Sequence, residues 1–233
     1  MGLRDPFLPA FIGLTAATWL AVRFLDRGRL GDLGLAWGRG TLPDLAAGLV
    51  LPFVSLAAIF ALEWSAGWLL VAHVRPISTA LIARSLWWSG AVAWYEELFA
   101  RGYLLRTIAR FSSLPAANLL SALVFTGLHL ANPGVSLMAL AGIFLAGLLL
   151  GLCCQVTRSL YLPMAFHLSW NLTQALLGFP VSGVKLPGLL RLVREGPALY
   201  TGGCFGPEAG LMGFFVLLLA MGVVWEYGKR YKV

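Results

Sequence analysis

The chain alternates long apolar runs with short polar gaps from one end to the other. A helix needs about 20 mostly apolar residues to cross the hydrocarbon core of a bilayer, and most of these runs approach that length. The gaps contain turn-forming sequences such as Asn132-Pro133-Gly134. The pattern predicts an all-α fold, a polytopic transmembrane helical bundle of about seven spans, with six or eight if the second or third run is re-entrant or split. The predicted spans cover residues 7–22, 45–70, 77–110, 116–131, 135–156, 160–177 and 208–225.

The composition indicates a membrane protein and leaves the predicted fold unchanged. Of the 233 residues, 59% are hydrophobic and 12% are charged, whereas a soluble domain is roughly 45–50% apolar. The formal net charge of +7 does not indicate nucleic acid, because the basic residues lie in the polar gaps, as topology determinants do. We expect one integral membrane domain over residues 1–233.

The Lys and Arg residues are unevenly divided between the two sides of the predicted bundle. With the N-terminus outside, eleven of the 17 lie on the cytoplasmic side, which is the side that basic loops favour. The C-terminus is therefore expected to be cytoplasmic. The basic residues then left outside are Arg4, Arg75, Arg84, Lys185, Arg191 and Arg194.

Several isolated residues have simple interpretations. The three cysteines lack the CxxC spacing of metal or redox motifs. Glu63 lies beside tryptophans and is interpreted as part of an interfacial belt, not as a buried acid. Glu208 follows a proline and suits the start of a helix, where an acid meets the helix dipole. Gly147 and Gly151 form a small-residue face that favours close helix packing.

Two adjacent carboxylates, Glu96 and Glu97, stand inside the third apolar run. An ionisable group at bilayer depth is costly unless it pairs or faces a wet cavity, so such a group indicates function. Arg101 is four residues after Glu97, on the same helical face, and the two can form an ion pair. Glu96 is rotated by about 100° and points elsewhere. One carboxylate can thus be held while the other stays free.

Two further pairs have the same spacing of four, namely Phe125 with His129 and His167 with Asn171. The turn between the third and fourth runs centres on residues 112–113, and Glu96 precedes it by as many residues as His129 follows it. In an antiparallel hairpin the two side chains would stand at one depth, roughly 25 Å from the turn at about 1.5 Å per residue. We therefore expect a glutamate, two histidines and an amide to converge within the membrane.

This set of side chains suits hydrolysis of an amide bond. A carboxylate beside an imidazole, here Glu96 and His129, can hold a water and accept its proton. His167 and Asn171 can donate hydrogen bonds to the oxyanion that forms when the water attacks a carbonyl. Each group alone also has a purely structural interpretation, as an ion pair, a bond between helices or, for Phe125, packing against His129. Serine or cysteine catalysis is disfavoured because neither Ser121 nor Ser169, nor any cysteine, has an obvious base beside it in the sequence.

The same residues resemble the motifs of the CAAX protease and bacteriocin-processing family, also called the Abi or type II CAAX prenyl endopeptidase family. The resemblance covers about residues 95–171. Its EExxxR motif matches Glu96-Glu97-Leu98-Phe99-Ala100-Arg101, its FxxxH motif matches Phe125-Thr126-Gly127-Leu128-His129, and its HxxxN motif matches His167-Leu168-Ser169-Trp170-Asn171.

The resemblance implies an intramembrane endopeptidase of the glutamate type that cuts a peptide bond near the C-terminus of a membrane-associated or lipid-modified protein. In this family-based assignment Glu96 and His129 activate water, His167 and Asn171 form the oxyanion hole, and Glu97, Arg101 and Phe125 support the site. The catalytic core would span about residues 78–178. No cofactor is expected, and the partners would be a protein or peptide substrate and the lipid bilayer. We expect a multi-pass protein of the bacterial inner membrane.

Three other functions remain open. The first is a zinc metalloprotease using the same Glu and His residues, although no HExxH occurs and Arg101 would disfavour a cation. The second is a bacteriocin-immunity or peptide-binding protein that does not cut. The third is a transporter or proton channel, disfavoured because the polar groups cluster at one depth.

The predicted topology conflicts with a cytoplasmic active site. The register places Glu96 and His129 nearer the loops at 132–135 and 178–207, which the basic residues place outside the cell. The best-known members of the family act from the cytoplasmic side. Either the predicted topology is inverted or this protein cuts substrates exposed on the outer face, and we favour the second interpretation.

Overall fold

The computed structural model describes residues 7–231, so Arg4 and Lys232, which enter the charge count, lie outside the described range. Two segments, Ala21–Leu25 and Leu98–Leu104, are π-helical. The helices are α1 Leu8–Leu20, α2 Thr41–Ser65, α3 Thr79–Glu97, α4 Leu105–Ala109, α5 Leu114–Gly127, α6 Leu137–Thr157, α7 Tyr161–Leu177, α8 Ala198–Thr201 and α9 Leu211–Gly228. Short 3-10 turns occupy Leu30–Leu33, Pro207–Ala209 and Lys229–Tyr231.

Every predicted span corresponds to a helix, which confirms the all-α class. Among the described residues, four helical segments are long and apolar enough to cross a membrane, and a fifth apolar helix, α5, has only 14 residues. The count of seven spans therefore stays a prediction. The four segments are Leu8–Leu25, Thr41–Ser65, Leu137–Thr157 and Leu211–Tyr231.

Local sequence signals set the helix ends. The side chains of Ser78, Ser113 and Ser136 cap α3, α5 and α6, each accepting a hydrogen bond from the backbone N–H three residues later. At the other end, Arg158 and Gly178 adopt left-handed backbone conformations and terminate α6 and α7. These caps fix where each helix begins and ends relative to its neighbours.

Helix α7 lies at the centre of the bundle. Both α2 and α3 pack along it, and 11 of its 17 residues are buried. The main core joins Leu56 and Ile59 of α2 to Phe166 of α7, Leu149 of α6 and Leu217 of α9. Because α7 is enclosed on most sides, its polar side chains need partners inside the protein.

The small-residue face predicted on α6 lies against α5. A Cβ atom built on Gly147 would lie 3.1 Å from the Cβ of Ala122, and one built on Gly151 would lie 1.8 Å from Oδ1 of Asn118. A larger residue at either position would require its neighbour on α5 to move. The prediction of close packing through Gly147 and Gly151 is confirmed.

A small antiparallel sheet was not predicted from the sequence. Its strands, β1 Leu69–Val74 and β2 Leu190–Arg194, pair with a bulge between Val71 and His73. The sheet ties the chain leaving α2 to the long connection between α7 and α9. It lies outside the helical bundle and leaves the all-α class unchanged.

The sheet also explains why the interfacial interpretation of Glu63 is wrong. Glu63 is fully buried, and its Oε2 lies 3.5 Å from Nε of Arg194 on β2. The other guanidinium nitrogens of Arg194 donate to the carbonyls of Thr201 and Gly203. Glu63 is therefore a buried acid with a basic partner that anchors the long connection to α2.

Candidate active site

Glu97 is the hub of the motif residues. Its Oε1 atom accepts a hydrogen bond of 2.9 Å from Nη1 of Arg101 and one of 2.8 Å from Nδ1 of His167. Glu97 and Arg101 are both fully buried. The predicted ion pair is confirmed, and the bond to His167 shows that the carboxylate also holds a helix 70 residues further along the chain.

Arg101 has partners on three sides. Besides Glu97, its Nη2 donates to the carbonyl of Gly147 at 3.0 Å, and its guanidinium carbon lies 4.2 Å from the centre of the Phe125 ring. A carboxylate, a carbonyl and an aromatic face together compensate a buried cation. Arg101 thereby fixes α3, α5 and α6 relative to one another.

His167 lies between the two glutamates. Nδ1 donates to Glu97, and Nε2 faces Oε2 of Glu96 at 3.8 Å. The bond to Glu97 sets the orientation of the ring and leaves Nε2 as the nitrogen available for chemistry. In the protonated ring, Nε2–H can donate a hydrogen bond.

His129 does not lie on a helix as predicted, because α5 ends at Gly127 and His129 follows in a turn. Its Nδ1 nevertheless lies 2.8 Å from the carbonyl oxygen of Phe125. Since a carbonyl can only accept, Nδ1 carries the proton, and in the neutral ring Nε2 has a free lone pair. Although α5 ends early, the spacing of four residues still brings the His129 ring to the backbone carbonyl of Phe125.

Phe125 packs among three of the motif side chains. Its ring centre lies 4.7 Å from that of His129 and 6.3 Å from that of His167, and its other neighbour is the Arg101 guanidinium. The predicted packing of Phe125 against His129 is confirmed. The ring therefore contacts both the Arg101 guanidinium and the His129 imidazole.

A small cavity of about 40 Å³ joins the second and third motifs. Its polar lining is formed by His129, His167, Asn171, Ser182 and Glu208. A site needs roughly 10–15 Å³ of such volume to hold one water, together with polar partners. The cavity therefore has the size and the lining for one or a few water molecules.

Three of the four predicted catalytic residues line the same cavity, and the fourth, Glu96, contacts one of them. His129, His167 and Asn171 line one cavity, whereas the contact that locates Glu96 is with His167. Glu96 and His167 keep 16% and 10% of their side-chain surfaces exposed. The water shared by Glu96 and His129, and the catalytic roles of all four residues, stay predictions.

Glu208 is a buried acid that sequence reasoning misinterpreted. It does not begin a transmembrane helix, since α9 starts at Leu211, and only 2% of its surface is exposed. Its Oε1 accepts hydrogen bonds from Nε1 of Trp170 at 3.4 Å and from Oγ of Ser182 at 3.3 Å. The argument that singled out Glu96, a carboxylate in apolar surroundings, applied equally to Glu208 and could have found it.

Ser182 closes one side of the cavity. It stands at the tip of the tight turn Val181–Val184 with a φ angle of +46°, an uncommon conformation for a residue with a side chain. Its carbonyl accepts a hydrogen bond of 2.9 Å from Nδ2 of Asn132. The loops near residues 132 and 182 therefore meet beside the cavity, and Ser182 and Glu208 lie beyond residue 178, the expected end of the catalytic core.

The donor set gives little support to a metal site. Among the described residues, no group of three or more His, Cys, Asp and Glu side chains is arranged to hold a metal ion. Nδ1 of His167 and Oε1 of Glu97 are bonded to each other, with the Arg101 cation at the same oxygen. The absence of a cofactor remains an expectation.

Comparison with known proteins agrees with the motifs. Residues 78–173 match the family model described as type II CAAX prenyl endopeptidase Rce1-like, and this range includes Glu96, Arg101, His129 and Asn171. No curated protein and no solved structure matches the chain. The family implies protease activity and a membrane-associated protein substrate, and the apolar helices indicate an integral membrane protein. The segment that carries the three motifs is thus similar to the type II CAAX prenyl endopeptidases of the Rce1-like family.

Proposed function

We propose that this protein is an intramembrane endopeptidase of the glutamate type, which hydrolyses a peptide bond near the C-terminus of a membrane-associated or lipid-modified protein. The observation that carries the proposal is the cavity shared by His129, His167 and Asn171, with Glu96 in contact with His167. Peptide hydrolysis needs a binding site for water, a general base and hydrogen-bond donors that stabilise an oxyanion. The residues around this cavity are of the types that provide them.

The proposed reaction begins with a water molecule held by Glu96 and His129. As the water oxygen bonds to the scissile carbonyl carbon, its proton passes to the Glu96 carboxylate. His129, with its proton on Nδ1, can accept a hydrogen bond from the same water through Nε2. Nε2–H of His167 and Nδ2–H of Asn171 donate to the oxyanion of the tetrahedral intermediate.

The intermediate then collapses and the C–N bond breaks. The proton held by Glu96 passes to the leaving nitrogen, so the products are an amine and a new C-terminal carboxylic acid, which then loses its proton to solvent. Glu97 does not exchange protons in this scheme, because Arg101 and His167 occupy its Oε1 atom. It keeps the His167 ring oriented while charge develops on the neighbouring oxygen.

The test is to compare the membrane peptides and proteins of cells that carry the native protein with those of cells that carry Glu96→Gln. Loss of a general base lowers a rate by about 10²–10⁴-fold, so we expect a substrate that keeps its C-terminal tail only in the variant. Glu226→Gln is the matched control, since Glu226 is exposed and pairs with Lys229 at the other end of α9. Unchanged processing in Glu96→Gln would overturn the proposal and would favour a peptide-binding or immunity function.

The zinc alternative predicts a different response to chelation. If a carboxylate and imidazoles suffice, the purified protein should cleave its substrate equally well after prolonged treatment with EDTA and removal of free metal. Mass spectrometric analysis of bound metal supplies an independent reading. Loss of activity on chelation, restored by zinc, would replace the glutamate mechanism with a metalloprotease.

A further inference from the structure

A second cleft lies between the small sheet and the connection that follows α7. Its volume is about 460 Å³, and its lining includes Arg75, Lys185 and Arg191 together with Phe179, Leu186 and Leu190. Arg194 also lines the cleft, but its nitrogens are engaged by Glu63 and two carbonyls. No acidic side chain is among the lining residues. The cleft thus combines basic side chains with an apolar wall.

The sheet holds these basic residues in place. The backbone N–H of Arg75 donates to the carbonyl of Leu189 at 2.8 Å, which fixes the end of β1 beside the start of β2. Within β1 and β2, His73 is paired with Arg191. Among the described residues, the side chains of Arg75, Lys185 and Arg191 form no ion pair or hydrogen bond. Their charges are therefore available to an anionic ligand.

The surroundings of the cleft indicate where that ligand comes from. Side chains on and next to the sheet are apolar and exposed, with Leu70 at 57%, Val74 at 62% and Ile77 at 78%. β1 begins four residues after α2, a helix long and apolar enough to cross a membrane. Apolar side chains beside basic ones, at the end of such a helix, are typical of a segment that lies in the interface of a bilayer. The groups at that level that carry negative charge are lipid headgroups.

We propose that this cleft binds the phosphate of an anionic phospholipid. The headgroup phosphate would contact Arg75, Lys185 and Arg191, and the first part of an acyl chain would lie along Phe179, Leu186 and Leu190. The cleft and the cavity are lined by neighbouring parts of one connection, because Gly178–Pro180 lines the former and Ser182 lines the latter. A lipid bound there would fix the edge of the loop that closes the cavity.

The experiment is native mass spectrometry of the full-length protein released from detergent with phosphatidylglycerol or phosphatidylcholine added. We expect phosphatidylglycerol to be retained in preference to phosphatidylcholine, and the triple variant Arg75→Gln, Lys185→Gln, Arg191→Gln to bind it on the order of 100-fold more weakly, about fivefold for each cation removed. The matched control is Arg23→Gln, Arg27→Gln, Arg39→Gln, which removes the same charge from exposed residues outside the cleft.

Each result of this experiment decides the question. Equal binding by the native protein and the cleft variant, or equal losses in the two triple variants, would overturn the site. Displacement of the lipid by millimolar inorganic phosphate or by a short peptide carboxylate would show a site for a small soluble anion or for a peptide terminus, and would overturn the lipid assignment. None of these readings depends on proteolytic activity, so the cleft and the proposed function fail independently.

Discussion

At the scale of single residues, the site depends on the compensation of buried charge. A fully buried carboxylate and guanidinium cost several kcal/mol each to desolvate unless they are paired with good geometry. Glu97 and Arg101 meet that condition through each other, through His167 and through the carbonyl of Gly147. The second hydrogen bond at Oε1 of Glu97 is what orients His167, so the carboxylate of the ion pair also positions an imidazole on another helix.

Removing Arg101 should therefore be among the most damaging single changes in this chain. Arg101→Ala leaves the Glu97 carboxylate buried without its cation, and we expect a loss of about 3–5 kcal/mol in the free energy of unfolding. Arg101→Lys keeps the charge but cannot donate to Glu97 and to the Gly147 carbonyl from two separate nitrogens. Its loss in the free energy of unfolding should therefore be smaller than that of Arg101→Ala. Thermal unfolding of the purified protein in detergent measures both.

The control for this prediction is Arg110→Ala. Arg110 pairs with Asp26 at the surface, where its side chain is 56% exposed, and a surface pair contributes only about 0–1 kcal/mol. A melting temperature for Arg101→Ala that equals that of Arg110→Ala would show that the buried pair does not hold the bundle together.

Local spacing predicted the contacts of some charged residues and failed for others. The ion pair of Glu97 with Arg101 follows from a separation of four residues on a helical segment, and the structure confirms it. Glu63 and Glu208 were misinterpreted because their partners are distant in the chain. Arg194 is 131 residues from Glu63, and Trp170 is 38 residues from Glu208. No periodicity along the sequence indicates such pairs.

At the scale of elements, the glycines of α6 determine how closely its neighbours approach. Gly147 and Gly151 allow α5 to pack closely against α6, as predicted. Gly142 admits the turn that carries Glu208, since a Cβ atom there would lie only 1.7 Å from the backbone oxygen of Glu208. One face of α6 thus positions the guanidinium of Arg101 and another positions the carboxylate in the cavity wall.

Gly142→Ala should consequently destabilise the protein and disturb the cavity. The added methyl group would clash with backbone atoms, which cannot rotate away as a side chain can. We therefore expect the free energy of unfolding to fall by at least about 1–3 kcal/mol, the usual cost of overpacking. Gly222→Ala on α9 is the matched control, because no atom lies within 4 Å of its added Cβ. Alanine there should be neutral or stabilising by up to about 1 kcal/mol.

Thermal unfolding of the two alanine variants under the same conditions provides the comparison. Equal melting temperatures would show that the turn at Glu208 can move away from α6 at little cost. The wall of the cavity would then be adjustable, and its small volume would not describe the site during catalysis.

The elements themselves were predictable to different degrees. Long apolar runs and Ser caps determine the helices, and these were found within a few residues of their observed ends. The end of α5 was not found, because residues 128–131 are as apolar as the helix before them. The pairing of β1 with β2 could not be predicted, since 115 residues separate the end of one short strand from the start of the other.

At the scale of the whole molecule, the loops near residues 132 and 182 and the connection before α9 form one cover over the cavity. Asn132 bonds to Ser182, and the N–H of Gly183 donates to the carbonyl of Phe205 at 2.7 Å. The small cavity lined by His129 and His167 and the basic cleft therefore belong to the same side of the bundle. The distribution of basic residues places this side outside the cell, which stays a prediction.

The native cysteines allow this topology to be tested without introducing a new cysteine. Cys204 is exposed in the connection before α9, whereas Cys153 and Cys154 are buried within α6. If the cover faces outward, a maleimide that cannot cross membranes should label Cys204 in intact spheroplasts, and Cys204→Ser should abolish the label. Labelling that appears only after the membrane is opened would place the cover in the cytoplasm. The substrate would then have to approach from the cytoplasmic side, and the basic cleft would face the inner leaflet.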